Sequence, residues 1–284
     1  MIFEHEIPKG ARLYFGKVAR AKRDLETRIS EMLFKNGFEE IVTPNFSYGQ
    51  HQSIDDVKKL IKFFDEENNE VALRADSTLD VVRIITKRLG RTTDHKKWFY
   101  VQPVFSYPSN EFYQVGCEWI GHDDISDIIS LSLDIVKSLG LNSTLQIANI
   151  NIPSIISKEF GVDIEIFKQS DIVALYALDL PWLNQLIEIK TKDDITQELV
   201  NLVPSSIKEE LLKLKTIAMM QVYGDIIVSP LYYGSMKYYD DIYYRVIEGN
   251  NTIMIGGSYK SEDIDSLGFA LYTDNILKIL EDLK

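Results

Sequence analysis

Residues 111–120, EFYQVGCEWI, could hold a small polar ligand if they form a strand. Successive side chains of a strand point to opposite faces, so Gln114, Gly116 and Glu118 share one face, and the residues between them form an apolar core face. Residues four apart are separated by about 13 Å, and the glycine leaves an open floor between the amide and the carboxylate. An amino acid fits that span, with one end at each polar side chain. The alternative is that this face is simply exposed to solvent.

Three other polar stretches add to this pattern. Asp76 lies where a predicted strand passes into a predicted helix. KYYDD at 237–241 places two tyrosines at the start of a strand, and IGGSY at 255–259 brings a glycine pair and Tyr259 to the end of another. Each stretch has a structural alternative, namely a helix cap, sheet packing and a turn. Together with 111–120 they favour a ligand site.

The elements that must position these residues are antiparallel strands with helices between them. Strand signals cover 97–106 and 111–120 around a Pro-Ser-Asn-Glu turn, and two later strands meet at residues 249–251. Helical patterns are predicted over 16–35, 77–89, 124–139 and 266–283. This order predicts an α+β fold built on an antiparallel sheet flanked by helices. Residues 151–225 are rich in Lys and Glu and helical, so we expect a helical insertion within a core domain made of 1–150 and 226–284.

Charge and cysteine content restrict the class of function. The formal net charge of −12 counts against nucleic-acid binding, because phosphate neutralisation by Lys and Arg supplies most of that affinity, so we expect no tRNA partner. The most basic stretch, 17–28, is expected to form the solvated face of a helix whose other side holds Leu25, Ile29 and Leu33. The single cysteine, Cys117, excludes an internal disulfide and a multi-cysteine zinc site and is expected to be buried. No metal or cofactor is predicted.

The N-terminal sequence lacks the pattern of a signal peptide, and no run of about 18 apolar residues occurs. These features predict a cytoplasmic protein that makes no membrane contact.

The order of these pieces resembles the catalytic domain of class II aminoacyl-tRNA synthetases, specifically the histidyl enzyme. The matching stretches are, in chain order, IPKGARLYFG with FKNGFEEIVTPNF (first motif), LRADST, QVGCEWIG (end of the second motif), MKYY, IGGSYK and SLGFALYTDN (third motif). They cover about residues 1–125 and 225–284, and QVGCE is the most specific of them. The resemblance implies a class II synthetase-like fold and a homodimer formed through the first-motif region, FEEIVTPNF.

Six positions match the amino-acid pocket of that family. The resemblance implies that three of them face the amino group or carboxylate of a bound amino acid: Asp76, Thr78 and Gln114. It implies that the other three surround the side chain of that amino acid: Glu118, Tyr239 and Tyr259. Carboxylates and an amide oxygen accept hydrogen bonds from an ammonium group or a protonated imidazole, whereas tyrosines offer ring faces and a hydroxyl.

Four arginines of the family are replaced by uncharged residues. Their positions fall on Ser106 (second motif), Asn275 (third motif), Gly234 and Ser258. Adenylation places charge on a pentacoordinate phosphorus and depends on preorganised cations, and one lost donor costs about 3–4 kcal/mol. We therefore expect no catalytic residue and no adenylation. The PSNE turn is also shorter than the family's second-motif loop, and the chain stops soon after the third motif, so we expect no anticodon-binding domain.

This combination is similar to the histidyl-synthetase-like regulatory subunits of ATP phosphoribosyltransferase, the first enzyme of histidine biosynthesis. That resemblance implies a non-catalytic protein that pairs with a short catalytic subunit and transmits feedback inhibition by histidine. Two departures concern the ligand: Asp76 is one methylene shorter than the family's Glu, and Lys237 stands where the family has Asp. Two alternatives stay open, namely a non-catalytic paralogue with another partner and a vestigial pocket, and a diverged histidine-tRNA ligase.

Overall fold

The computed structural model describes residues 6–49, 57–90, 92–234, 238–261 and 263–282. The chain forms two compact units, one of Met1–Gly121 with Gly268–Lys284 and one of His122–Leu267. The predicted boundaries at 150, 151, 225 and 226 do not coincide with these units, and the separate helical insertion stays a prediction. Lys237 lies outside the described residues, as do its neighbours 235 and 236.

The described residues form the following α-helices and strands. The helices are α1 (Gly16–Lys35), α2 (Thr78–Arg83), α3 (Ile125–Ser138), α4 (Asn151–Phe160), α5 (Ile164–Lys168), α6 (Ile172–Tyr176), α7 (Pro181–Glu188), α8 (Gln197–Leu202), α9 (Ser205–Met220) and α10 (Thr273–Asp282). The strands are β1 (Glu39–Glu40), β2 (Phe46–Tyr48), β3 (Lys62–Phe64), β4 (Glu70–Leu73), β5 (Lys97–Ser106), β6 (Asn110–Ile120), β7 (Thr144–Asn149), β8 (Ile226–Val228), β9 (Tyr239–Glu248), β10 (Asn251–Ser261) and β11 (Ile264–Tyr272).

The first unit is organised around the β5–β6 hairpin. Its strands follow the order β1-β5-β6-β11, with β1 parallel to β5 and β6 antiparallel to it, and a small separate sheet has the order β2-β4-β3. The hairpin prediction is confirmed to within one residue, because alternation and a proline-containing turn both mark it. The first-motif region forms only the short strands β1 and β2, since Pro44 between them has no N–H to donate to a sheet.

Helix α1 covers this unit with the face that its sequence predicts. Leu25, Ile29 and Leu33 are buried, and the basic residues of 17–28 lie on the partly or fully exposed side. The helix ends at Asn36, and Gly37 follows with a φ of +81°, a left-handed conformation that glycine adopts without strain. The boundaries predicted for this helix are confirmed.

The prediction of one helix over 266–283 is wrong in its first part. Residues up to Tyr272 belong to β11, and α10 begins only at Thr273. The stretch from Ser266 to Leu271 is buried on both faces, so it has the continuous apolar character of a central strand rather than alternation. A short apolar run of that kind fits both periods, which is why the sequence pattern misassigns it.

The second unit contains the strand order β10-β9-β7-β8. β9 pairs antiparallel with both β10 and β7, whereas β7 and β8 are parallel. The hairpin turn predicted at 249–251 is confirmed, with Gly249 at a positive φ. Helices alone fill Asn151–Met220, as the composition predicts, and α9 packs on β7, where the Asn149 amide donates to Glu210 Oε2 at 2.7 Å.

The fold is therefore an α+β arrangement of mainly antiparallel strands flanked by helices, as predicted. In the part of the chain that the structure describes, no helix is long and apolar enough to span a bilayer.

Candidate functional site

The two polar side chains of β6 lie inside the first unit rather than in solvent. Gln114 is 7% exposed and Glu118 is 0% exposed. The alternative that this face is a solvent-exposed surface is therefore wrong. Burial of a carboxylate is costly unless hydrogen bonds or an opposite charge compensate it, so Glu118 at this place calls for partners.

Tyr100 occupies the place that the sequence predicts as an open floor. It pairs directly with Gly116 across the hairpin, and a Cβ atom on that glycine would lie 2.7 Å from Cε2 of the ring and closer still to its hydroxyl. The Tyr100 hydroxyl donates to Glu118 Oε1 at 3.3 Å. Gly116 thus makes room for a ring that helps to hold Glu118, and the prediction of an open floor at this glycine is wrong.

Gly268 on β11 makes room for the same carboxylate from the other side. A Cβ atom there would lie 2.7 Å from the Cys117 carbonyl oxygen and would overlap Glu118 Oε2. Cys117 itself is fully buried, as predicted, and burial raises the pKa of its thiol well above the ordinary value, with the nearby Glu118 charge adding to the shift. Two glycines and a tyrosine therefore fix the position of Glu118.

Asp76 and Thr78 lie at the junction between β4 and α2, where the sequence predicts them. Thr78 is buried and Asp76 is half-buried. Helix α2 packs against β6, the strand that carries Gln114 and Glu118. Ser77 occupies the N-cap position of α2, yet its hydroxyl makes no capping hydrogen bond. The helix cap considered for Asp76 stays an alternative.

Two further polar side chains, Ser77 and Gln102, belong to this region and were missed from the sequence. Gln102 pairs with Gln114 across the hairpin and is 6% exposed, and its Oε1 accepts from the Thr43 hydroxyl at 3.0 Å. Gln102 Nε2 and the Ser77 hydroxyl are both buried, and within the described residues neither has a hydrogen-bond partner. Orphaned buried donors are rare in folded proteins. Pairing the two predicted strands in register would have found Gln102.

The cation of this region, Arg74, is used entirely by the fold. It is fully buried, and its three nitrogens donate six hydrogen bonds within the unit. Nε donates to Pro103 O at 3.0 Å, and Nη2 donates to Pro103 O at 2.7 Å and Asn45 Oδ1 at 3.0 Å. Nη1 donates to Thr43 O at 3.2 Å, Thr43 Oγ1 at 3.0 Å and Pro44 O at 2.9 Å. Burial lowers the pKa of its guanidinium, whereas the charge of Asp80 opposes that shift. Arg74 therefore anchors the first-motif segment to β5 and has no N–H left for a ligand.

In the second unit, Tyr239 and Tyr259 lie side by side. They are directly paired between β9 and β10, both are buried, and their ring centroids are 6.5 Å apart. The ring of Tyr238 packs on both, at 4.6 and 5.7 Å. The glycine pair at 256–257 lies within β10, so the turn considered for it is wrong. A Cβ atom on Gly257 would lie 2.8 Å from the Tyr239 ring, so the absence of a side chain there leaves room for that ring.

The four positions that lack the family's arginines are all described. Ser106 ends β5, Asn275 lies in the first turn of α10, Gly234 precedes β9, and Ser258 lies on β10. None of these side chains can carry a positive charge. Among the described residues, no group of three or more His, Cys, Asp or Glu could hold a metal ion.

Comparison with known sequences decides the family. The profile of the family described as histidyl-tRNA synthetase matches residues 13–276. An ATP phosphoribosyltransferase regulatory subunit of Wolinella succinogenes is 44% identical over 98% of this chain and 96% of its own length. One of Helicobacter hepaticus is 40% identical over 99% of both chains.

The chain belongs to the histidyl-tRNA synthetase family, among the ATP phosphoribosyltransferase regulatory subunits.

Solved structures of the family have the same fold. The crystal structure of an ATP phosphoribosyltransferase regulatory subunit/histidyl-tRNA synthetase from Bacillus halodurans superposes with a TM-score of 0.86 at 19% identity, covering 99% of this chain and 84% of that one. A histidine-tRNA ligase subunit from Alicyclobacillus acidocaldarius gives a TM-score of 0.81 at 17% identity, covering 98% of both chains. At these identities the likeness concerns the fold alone. It confirms the class II synthetase-like architecture that the motif order predicts.

Proposed function

We propose that this chain is a non-catalytic regulatory subunit of an ATP phosphoribosyltransferase and that it binds free histidine on the polar face of β6. The observation that carries the pocket is the buried set around the hairpin: Gln114 and Glu118 share one face, with the orphaned Gln102 Nε2 next to them in register. The role as a subunit rests on the names of the full-length relatives.

The chemistry of the face suits a cationic group of a small zwitterion. Glu118 is an acceptor that Tyr100 holds in place, and a carboxylate accepts charge-assisted hydrogen bonds from an imidazolium or ammonium group. Gln102 Nε2 would donate to a ligand oxygen or nitrogen. Asp76 and Thr78, which lie in the same unit, are assigned to the amino group or carboxylate of the ligand. The role of Tyr239 and Tyr259 around the ligand side chain stays a prediction from the sequence.

Loss of adenylation follows from the replaced arginines. Transfer to the α-phosphate of ATP needs cations aimed at the developing charge, and removal of one such donor costs about 3–4 kcal/mol. Four positions lack the cation, and the five N–H groups of Arg74 are occupied by the chain itself. The proposal therefore includes neither ATP activation nor a tRNA substrate.

Histidine would act by shifting a subunit equilibrium. A ligand changes an assembly only if its affinity differs between two states, and the coupling is reciprocal. We therefore propose that histidine changes the affinity of this chain for the catalytic subunit. By reciprocity, the catalytic subunit changes the affinity of this chain for histidine by the same factor. The cytoplasmic location stays part of the proposal.

A homodimer through the first-motif region completes the proposal. Apolar side chains there are exposed, with Val42 at 82% and Phe46 at 58%. Exposed apolar side chains close together are typical of interaction surfaces. Val42→Glu is expected to convert a dimer to a monomer in gel filtration with light scattering, and a wild-type chain that elutes as a monomer at high concentration would contradict this part.

The pocket is tested by calorimetric titration of the chain with histidine and with histidinol, which lacks the carboxylate. We expect histidine to bind and Glu118→Gln to weaken it about ten- to hundred-fold, the value of a hydrogen bond to a charged group. Glu111→Gln, on the same strand but bound to the Arg12 backbone N–H, is the matched control and should bind as the wild type does. Absence of histidine binding would leave a scaffold with a vestigial pocket, and ATP–pyrophosphate exchange with histidine would show an enzyme instead.

A further inference from the structure

A cavity lies in the second unit, among the short helices that follow α4. Its volume is about 280 Å³, and its walls are formed by α5, α6, α7, β7, β9 and the segment after β8. The apolar part of the lining is large: Phe167, Ile172, Leu175, Leu186, Ile187, Ile189, Pro230 and Leu231. Its polar side chains include Arg245 of β9 and Gln146 of β7. One cation in a mostly apolar cavity is a distinctive arrangement for a chain of net charge −12.

Neighbouring side chains hold Arg245 in one orientation. Arg245 and Gln146 are paired across β9 and β7, and the guanidinium Nε donates to Gln146 Oε1. Gln146 Nε2 in turn donates to Ser229 Oγ at 2.6 Å, which fixes the amide. The centre of the Tyr232 ring lies 4.5 Å from Arg245 Cζ, a cation–π distance. The Tyr232 ring also stacks on the Tyr243 ring, with 5.5 Å between the ring centroids. The planar fork is thus preorganised.

The outer end of the fork has no partner of its own. Over the residues that the structure describes, neither terminal nitrogen of Arg245 forms a hydrogen bond, and no Asp or Glu lies within ion-pair distance of the guanidinium. A half-buried arginine with both terminal nitrogens available matches a carboxylate in a bidentate geometry. Phosphate sites gather several donors, whereas a single arginine among apolar walls suits a monoanion with an apolar body.

The backbone at the edge of the cavity is also unusual. Ser170, between α5 and α6, has a φ of +52° and lines the cavity. A non-glycine residue in the left-handed region is uncommon and costs of the order of 1 kcal/mol, and such residues concentrate at ligand clamps. The shape of this edge is therefore maintained against a local cost, as expected for a binding site.

We propose that this cavity binds a small carboxylic acid with a branched or aromatic apolar body, its carboxylate on Arg245 and its body against Leu175 and Leu186. The site is additional to the histidine pocket and goes beyond the proposed function. The volume is at the small end of ligand cavities, which limits the ligand to roughly ten non-hydrogen atoms.

The test uses the full chain and three probes: 4-methylpentanoate, its neutral amide 4-methylpentanamide, and inorganic phosphate. Binding is followed by saturation-transfer NMR and by calorimetric titration in the absence and presence of histidine. We expect the carboxylate to bind and the amide and phosphate not to bind. Arg245→Gln should weaken carboxylate binding about ten- to hundred-fold, as expected for loss of a charged hydrogen-bonded pair.

A second variant keeps the test decisive if Arg245→Gln fails to fold. Ile172, at the edge of the cavity, is 46% exposed, so Ile172→Trp should fold, fill the opening and abolish carboxylate binding while Arg245 remains. Arg20→Gln, on the exposed face of α1, is the control and should bind as the wild type does. Equal binding of acid and amide, binding of phosphate alone, no binding by the wild type, or unchanged binding by Ile172→Trp would each overturn the proposal. Histidine binding is measured in parallel, so that a failure of the proposed histidine pocket can be told apart from a failure of the carboxylate site.

Discussion

A methyl group added at Gly116 should disturb the position of Glu118 through Tyr100. In Gly116→Ala the new Cβ would overlap the Tyr100 ring, which is itself fully buried. The ring is fully buried and lies against Gly116, the residue paired with it across the hairpin. We expect the ring to move away from β6 and to lose its hydrogen bond to Glu118 Oε1.

The magnitude follows from these two effects. Overpacking a well-filled interior costs about 1–3 kcal/mol. Loss of the Tyr100–Glu118 hydrogen bond adds about 1 kcal/mol. The sum is about 2–4 kcal/mol of unfolding free energy, which for a chain of this size corresponds to a fall in melting temperature of roughly 3–7 °C.

The assay is a thermal melt by circular dichroism, with Gly224→Ala as the matched control. A Cβ atom at Gly224 would meet nothing within 4 Å, and its φ is not in the left-handed region, so this variant should melt as the wild type does. Tyr100→Leu should relieve the overlap, so the double variant should cost less than the two single changes added together. If Gly116→Ala melted within about 1 °C of Gly224→Ala, the proposed contact between Gly116 and Tyr100 would be refuted.

Three other outcomes follow from the structure. Arg74→Met should lower the free energy of unfolding by about 3 kcal/mol or more in denaturant titration, because it leaves buried acceptors on Pro103 and Thr43 without a donor. Arg74→Lys should not restore the stability, because lysine lacks the planar guanidinium. Wild-type stability in either variant would contradict this prediction. Asp194 accepts hydrogen bonds from the Lys190 and Thr191 backbone N–H groups, which lowers the pKa of its carboxylate. Its contribution to the free energy of unfolding is therefore complete above the unfolded pKa of about 4 and is lost as pH falls below that value. Asp194→Asn should cost about 0.5–1 kcal/mol at pH 7, and a stability difference from the wild type that does not shrink towards pH 3.5 would contradict the assignment. Cys117 should not react with a thiol reagent at pH 8 until the chain is unfolded, because burial raises the pKa of its thiol, and rapid labelling of the native chain would exclude this.

The elements that were predicted well are those marked by a local signal. Helix α1 has an apolar stripe and a glycine after its last residue, and the β5–β6 hairpin has alternation and a turn. These signals depend on residues near each other in the chain, so one sequence is enough to find them. The last strand, β11, has no such signal because it is buried on both faces.

The positions of Gln114 and Glu118 on one strand face were predicted, but their contacts were not. Gln114 and Glu118 were placed on one face by the period of a strand, and the structure confirms that they share it and buries them. The roles of Tyr100 and Gln102 depend on the register with the neighbouring strand, which the sequence analysis did not work out. Arg74 was counted as part of a motif, and only tertiary structure shows that carbonyl groups distant in sequence use all of its donors.

Reconstitution with the catalytic subunit tests the central claim most directly. The rate of phosphoribosyl transfer to ATP by the short catalytic subunit of the source organism is measured alone, with this chain, and with this chain plus histidine. The account predicts that the chain raises the rate, that histidine lowers it again, and that Glu118→Gln weakens the inhibition while the chain still supports activity. A catalytic subunit that is equally active and equally inhibited by histidine in the absence of this chain would contradict the account.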